Sequence, residues 1–476
     1  MDRDDRLLRV PRPESVLAAA YLAILAWAPF PYGSTAPWAE LVLGGGLGAV
    51  MLAWSGLALT GFAPAPVAMR RLALPVICTA AALLWAVVQS TDLAVVQHLT
   101  GIDVSTLAHP VWTTAATALG RETGAFISID PESTHRAIFV SATGATAFLL
   151  ALQLGRDRDR AQLLLAGIAA LTAFYAAAAI AGQVLAADDV RPLLLPGPPA
   201  TPAPVPFAIA GDAAIFMALG ALAGLGLFAE TARQAATWDR GPRVALRTAA
   251  RAAAANIVWL AAVSLLLAAL VLSRSQTGVV TFLVGALALL VALAVGRRAS
   301  EGEAAGQRAV AAVFVTAIGV AAAFIVVPLP GGSDIDERDR AALTETTLRA
   351  IENAPVLGSG FGAFQAYAPM TADGALPAAA NEARNDVLET VADLGVPAGI
   401  AFMAAPVLLA GMCFAGCLNR RRDRLYPAVG FAASVVVGVN ALVASGLQVP
   451  AIAVAYAALL GLGVAQSWRT SMDAVR

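Results

Sequence analysis

Apolar runs of about 17 to 25 residues recur along this chain with short polar interruptions, and that is the length a helix needs to cross roughly 30 Å of hydrocarbon. Twelve such runs can be marked, approximately at 15–31, 38–60, 72–90, 137–154, 161–184, 207–229, 254–272, 277–296, 308–328, 396–417, 427–446 and 449–466. The pattern predicts an all-α integral membrane protein with about 12 transmembrane helices. The opening MDRDDRLLRVPRPES leads into an apolar run with no small-residue cleavage site, and a second span follows at once, so it reads as a first helix rather than a removable signal.

Three connections are long: 91–136, 185–206 and 329–395. The second, with LLLPGPPATPAPVP, reads as an extended proline-rich connector. The third is different. After PLPGGSD, Asp334 or Asp336 can cap a helix running to about Asn353 and stopped by Pro355, and a second helix fits NEARNDVLETVADLG, stopped at Gly395 and Pro397. This connection therefore predicts a small helical cap between spans nine and ten. The chain divides accordingly into 1–271 with the first seven spans, 272–417 with the loop 329–395, and 418–476 with the last two spans.

Composition agrees with a bilayer as solvent. Of 476 residues 59% are hydrophobic and 13% charged, against roughly 25% charged in ordinary soluble domains, and the mean hydropathy is +0.74. The net charge of -1 says little; the placement of charge says more. All 31 basic residues are arginine, and with both ends cytoplasmic 23 of them fall inside, as the positive-inside rule requires. The three cysteines, Cys78, Cys413 and Cys417, all lie in apolar runs, which suggests neither a disulfide framework nor a zinc site. Cys413 and Cys417 share a helix face as small packing residues.

Eight arginines then run against that bias: Arg121, Arg136, Arg191, Arg274, Arg338, Arg340, Arg349 and Arg384. Arg274, in VLSRSQTGVV, sits in a very short hairpin between two spans. It either snorkels to lipid phosphate or serves as a fixed cation for a diphosphate or carboxylate. Arg340 begins the first cap helix and shares a face with Thr344, Thr347 and Ile351; it is either a surface residue paired with Asp336 or Asp339, or a cation directed at a ligand. Asn381, Arg384, Asn385 and Leu388 line one side of the expected second cap helix. The turn holding Gly358, Gly360 and Gly362 could offer backbone N–H groups to an anion, although it matches no nucleotide-binding loop. Asp212, near the outer leaflet at the start of the sixth span, is costly enough there to suggest a partner or a watery cavity. Glu230, at the inner boundary, needs no such explanation.

LSRSQTGVVTFLVGALALL, RAALTETTLRAIENAPVLGSGFGAF and ARNDVLETVADLGVPAGI, in that order, resemble the signature blocks of the O-antigen ligase and polymerase family. Arg340, Pro355, Gly358, Gly360, Phe364, Asn385, Leu388, Gly395 and Gly399 fall at the family's motif positions, and the resemblance covers mainly residues 272–405. It implies a GT-C-like membrane enzyme that needs no metal or other cofactor and no nucleic acid. Its donor would be an undecaprenyl-diphosphate-linked glycan and its acceptor a glycan or lipid, at the periplasmic face of the bacterial inner membrane, with other polysaccharide-assembly proteins as partners.

By the same resemblance, Arg274, Arg340 and Arg384 would be the catalytic cations, and Asn385, Asp386 and the Gly358, Gly360 and Gly362 turn would shape the substrate pocket. Arg384 stands where the family usually has histidine, and a guanidinium cannot act as a base. Asp386, Glu382 and Glu389 are the nearest carboxylates, expected to be kept ionised and weakly basic by that arginine. Asp393 replaces the family's glutamate. The rival expectations are a transporter or flippase, with charges facing each other near mid-bilayer, and a non-catalytic component of a polysaccharide-assembly complex.

Overall fold

The computed structural model describes residues 13–30, 32–62, 69–121, 123–184, 207, 209–236, 242–298, 337–374, 376, 381–420 and 423–468. No strand occurs among them. The helices are α1 (Pro13–Trp27), α2 (Pro37–Leu59), α3 (Ala73–Ser90), α4 (Leu93–Thr100), α5 (Pro110–Leu119), α6 (Pro131–Leu154), α7 (Arg158–Val184), α8 (Ala210–Ala236), α9 (Pro242–Leu272), α10 (Gln276–Arg298), α11 (Glu337–Asn353), α12 (Phe364–Thr371), α13 (Asp386–Leu394), α14 (Val396–Asn419), α15 (Leu425–Ala441) and α16 (Pro450–Ala465).

Seven helices are long and apolar enough to cross a membrane, and four shorter apolar ones stand beside them: Pro13–Trp27, Asn256–Leu272, Leu425–Ala441 and Pro450–Ala465. Together these coincide with eleven of the twelve expected spans. The remaining run, 308–328, lies outside the described residues, as do Arg191, the proline-rich connector 185–206 and the expected caps Asp334 and Asp336. The protein is an all-helical, multi-pass membrane protein.

Helix α8 is the centre. Ile215, Phe216, Met217, Leu219 and Leu222 on it are all fully buried, in one apolar cluster with α15 and α16. In lipid there is little hydrophobic drive between helices, so close van der Waals contact must hold them, which favours small residues at the crossings. At the α15–α16 crossing, a Cβ added to Gly430 would lie 3.0 Å from the Cα of Gly463 and 3.1 Å from Cys413 Sγ. Cys413 and Cys417 are completely buried there, in keeping with their packing role. The outer helices turn large apolar residues outward instead, among them Leu52, Ile77, Leu84, Phe174 and Leu290, as lipid-facing surfaces do.

Polar ties gather at the two ends of the bundle. At the end away from the cap, Arg158 pairs with Asp423 at 3.0 Å and with Glu230 at 3.9 Å, Arg160 pairs with Glu14, and Gln466 Nε2 donates to the carbonyl of Gly155 at 2.7 Å. At the cap end, Arg136 grips the buried Glu40: its Nε donates at 3.0 and 2.9 Å and its Nη2 at 2.6 Å, while Nη2 also reaches Thr35 O at 2.6 Å. One of the eight arginines expected outside is thus a clamp between α2 and α6. Arg349 is likewise engaged, with Glu345 and Asp373.

The connection 91–136 contains two short helices that its sequence pattern did not announce. Asp92 caps α4 through Ala94 N, His109 Nδ1 caps α5 through Val111 N, and glycines in the left-handed region, Gly101 and Gly120, end both. Asp130 caps α6, which starts at Pro131, six residues ahead of the expected span.

Replacing Arg136 with Ala leaves the carboxylate of Glu40 buried without its partner. The expected loss is about 1–3 kcal/mol, read as a lower melting temperature of the detergent-solubilised protein; the double variant R136A/E40Q should recover most of it, since the charge is then gone.

Candidate functional site

The cap is α11, α12 and α13 folded around Leu343, Ala350, Phe364, Tyr367 and Ala392. Helix α11 ends at Asn353 ahead of Pro355, as expected. Helix α13 is shorter than its sequence pattern predicts, starting at Asp386 rather than near Asn381. Asn385 is its N-cap, accepting from Leu388 N at 3.0 Å, and Arg384 just before it adopts φ 55, a left-handed conformation that no helix continues. The Asn385 amide also donates to Leu442 O at 3.0 Å, tying the cap to the turn after α15.

The glycine turn is locked to the end of α13. Gly358 N donates to Ala354 O at 3.0 Å, Ser359 N to Ala392 O at 3.0 Å, Gly360 N to Asp393 O at 3.0 Å, and Gly362 N to Asp393 Oδ2 at 2.7 Å. The N–H groups expected to face an anion are spent on the protein itself. Glycine is needed there for closeness as well as for backbone angle: a Cβ on Gly360 (φ +115) would lie 2.1 Å from Ser128 Oγ, and one on Gly358 (φ +73) 2.2 Å from Asp393 O.

Four carboxylates, Glu382, Asp386, Glu389 and Asp393, follow one another along this segment at helical spacing. Asp393 accepts from Gly362 N and, at 2.9 Å, from the Tyr367 hydroxyl; Glu389 accepts from Ala383 N at 2.8 Å; Asp386 accepts from Leu447 N at 3.2 Å. All three are at most 7% exposed. Burial pushes Asp386 up to about 8, with Glu382 and Asp212 adding repulsion against the pull of Leu447 and Gln448. Burial likewise raises Asp393 to about 7 and Glu389 well above the carboxylate range. Glu382 is also raised by burial, against the opposing effects of Arg384 and Ser445. The expectation that Arg384 keeps these acids weakly basic does not hold, because desolvation outweighs one guanidinium: Arg384 opposes the rise at Glu382 alone.

The three candidate cations occupy three elements at the cap end. Arg384 lies 4.0 Å from Glu382. Arg274, exposed and at φ 55, is the apex of the α9–α10 turn between two buried serines, of which Ser275 caps α10 through Gly278 N at 3.2 Å. The turn is seated against α8, where a Cβ on Gly278 would meet Ala214, two residues from Asp212. Arg340 lines an open groove with Ala341, Thr344, Glu345 and Leu348. Arg274 and Arg340 enter no ion pair among the described residues. No group of three or more metal-ligating side chains is found among those residues either.

The fold is that of an all-helical, multi-pass membrane bundle with α11, α12 and α13 packed together at one end. Residues 261–403, from within α9 into α14, match the family described as O-Antigen ligase, so the chain carries an O-antigen ligase-type region where its sequence blocks resemble that family. No curated protein matches the chain.

The native state binds protons at Asp386, Glu389 and Asp393 that an unfolded chain, with carboxyls near about 4, releases. Their contribution to stability is present below about pH 4 and is lost as pH rises to about 8, at up to about 1.4 kcal/mol per pH unit for each proton. Melting temperature should therefore fall from pH 5.5 to 8.5, and Asp386→Asn, neutral throughout, should flatten the upper part of that fall.

Proposed function

We propose that this protein transfers or polymerises a glycan carried on undecaprenyl diphosphate, at the periplasmic face of a bacterial inner membrane. The chain then has twelve spans, both termini in the cytoplasm, and a periplasmic cap between spans nine and ten. The observation that carries this reading is that the family-matched stretch, residues 261–403, is the stretch holding Arg274, Arg340, Arg384 and the carboxylate-bearing segment of the cap.

The chemistry needs two things. Negative charge develops on the leaving diphosphate, and fixed cations in a partly desolvated site stabilise it without reorganisation. Arg274, Arg340 and Arg384 supply those cations. Two of them, Arg274 and Arg384, sit in the left-handed region, a conformation that costs a non-glycine residue roughly 1–2 kcal/mol. The acceptor hydroxyl must also lose a proton, a task for the carboxylates. Asn385 and the Gly358, Gly360 and Gly362 turn serve this site by fixing the cap's shape, and Asp386 by anchoring α13 to the α15–α16 connection. Direct contact of these five with substrate is not needed.

The transport reading calls for charged groups facing a central cavity. The fully buried apolar middle of α8 supports the enzyme instead.

Deleting the gene should change the surface glycans: loss of attachment identifies a ligase, and single repeat units a polymerase. Arg274→Ala and Arg340→Ala, expressed in that strain, should each lower product by about 100-fold or more with membrane levels unchanged, while Arg349→Ala should stay within about twofold of wild type because its partners are Glu345 and Asp373. Normal product from both R274A and R340A would refute the assignment.

A further inference from the structure

Of the four acids on the cap segment, three are committed. Asp393, Glu389 and Asp386 each accept hydrogen bonds from named donors and are almost wholly enclosed. Glu382 differs: about a quarter of its side chain, 26%, is exposed, and its ion-pair contact, Arg384 Nε, stands at 4.0 Å. That is close enough to fix the carboxylate's orientation and too far to occupy it with a hydrogen bond.

Beside Glu382 lies Ser445, in the α15–α16 connection. Its buried hydroxyl acts on the Glu382 carboxylate from beyond ordinary hydrogen-bond length, opposing the effect of burial there. A buried hydroxyl held short of a full hydrogen bond can be satisfied by a hydroxyl group of a bound molecule. A partly open carboxylate, a guanidinium and the buried hydroxyl of Ser445 thus border one spot at the cap end. A sugar hydroxyl bound there would find a proton acceptor and hydrogen-bonding atoms together.

We propose that Glu382 is the catalytic base, taking the proton of the acceptor hydroxyl as that oxygen attacks; the proposal rests on the glycan-transfer reading above. In the step, the acceptor oxygen forms a bond to the anomeric carbon of the donor sugar while the bond from that carbon to the diphosphate oxygen breaks. The bonding electrons leave with the diphosphate, whose charge the arginines meet. The hydroxyl proton passes to a Glu382 oxygen and later to solvent through its exposed edge, so no further reactant is required.

The surroundings suit the role. A base is most effective when its pKa approaches the working pH, and burial lifts Glu382 above an ordinary carboxylate. The titratable and charged groups facing it are Arg384 on its own segment and Asp386 from α13, with Asp212 from α8 acting on Asp386. Arg384 cannot accept a proton, but its charge opposes the effect of burial on Glu382. The pair does together what one histidine does alone: it holds a cationic donor and a proton acceptor side by side.

The test uses full-length protein in nanodiscs, with the lipid-linked glycan extracted from the deletion strain as donor and that strain's membranes as acceptor. Wild-type kcat should rise with pH as the base ionises. Glu382→Gln should lower kcat about 100-fold or more, leave KM for donor within about threefold, and abolish the rising limb. Glu382→Ala should regain rate when formate is added, because a free carboxylate can then occupy the vacated position. Should E382Q fail to reach the membrane, E382D should keep the rising limb at reduced kcat. An active wild type with E382Q within about threefold of it, or an E382A rate indifferent to formate, overturns the base assignment alone. A wild type that makes no product overturns the transfer reading and this assignment with it.

Discussion

The cap depends on carbonyl oxygens that its own helices cannot satisfy. Where α13 ends and the Pro355 turn begins, Leu357, Asp393 and Leu394 present C=O groups with no helical partner. Two side chains from the last turns of α3 meet them: Trp85 Nε1 donates to Leu357 O at 3.2 Å and Leu394 O at 3.0 Å, and Gln89 Nε2 to Leu357 O at 2.6 Å and Asp393 O at 2.9 Å. Those four bonds join the cap to a membrane helix. The glycine turn is drawn in by the same knot, since Ile129 N donates to Ser359 O at 2.9 Å and Ser128 N to Gln89 O at 2.9 Å. With the turn seated, the direction of α13 is fixed, and with it the line of Asp386, Glu389 and Asp393.

Burying those acids is the consequence. A helix pressed against the bundle end carries its carboxylates into a poor solvent, where each must find N–H or O–H donors or hold a proton. Asp393 finds Tyr367 and Gly362, Glu389 finds Ala383, Asp386 finds Leu447. Placed at the head of the segment, before the helix begins, Glu382 is the one left at the edge of the solvent. The left-handed turn at Arg384 produces this: it breaks the chain direction between Glu382 and α13, so that Glu382 projects from a loop and the other three from a helix.

Much of this was legible before any coordinates. Span length and arginine placement depend only on hydrocarbon thickness and charge, so eleven expected spans coincide with helices, and the α11 stop at Pro355 follows from the proline's missing N–H. The family blocks marked the right stretch. What stayed hidden were matters of long-range contact. Nothing local shows that the N–H groups of Ser359, Gly360 and Gly362 are consumed by α13, because their acceptors, on Ala392 and Asp393, lie some thirty residues further on. The true start of α13 was legible in part, because asparagine is a favoured N-cap, but the pattern of the run from Asn381 is equally helical. The proton affinity of the acids was misjudged for a clearer reason: sequence shows the neighbouring arginine and does not show depth.

Depth also gives meaning to the arginines. Arg136, outward in the expected topology, is spent on Glu40, and Arg349 on Glu345 and Asp373, so a cation on the cap side is by itself no sign of a ligand. Arg274 and Arg340 differ because no acid among the described residues answers them, and Arg384 because its acid stands at 4.0 Å rather than at hydrogen-bond distance. Charge left incompletely neutralised near a membrane surface raises the local concentration of anionic partners. An arrangement that fully pairs some arginines and leaves others short of a partner, on elements fixed by one knot of hydrogen bonds, separates the charges that hold the protein together from those available to something else.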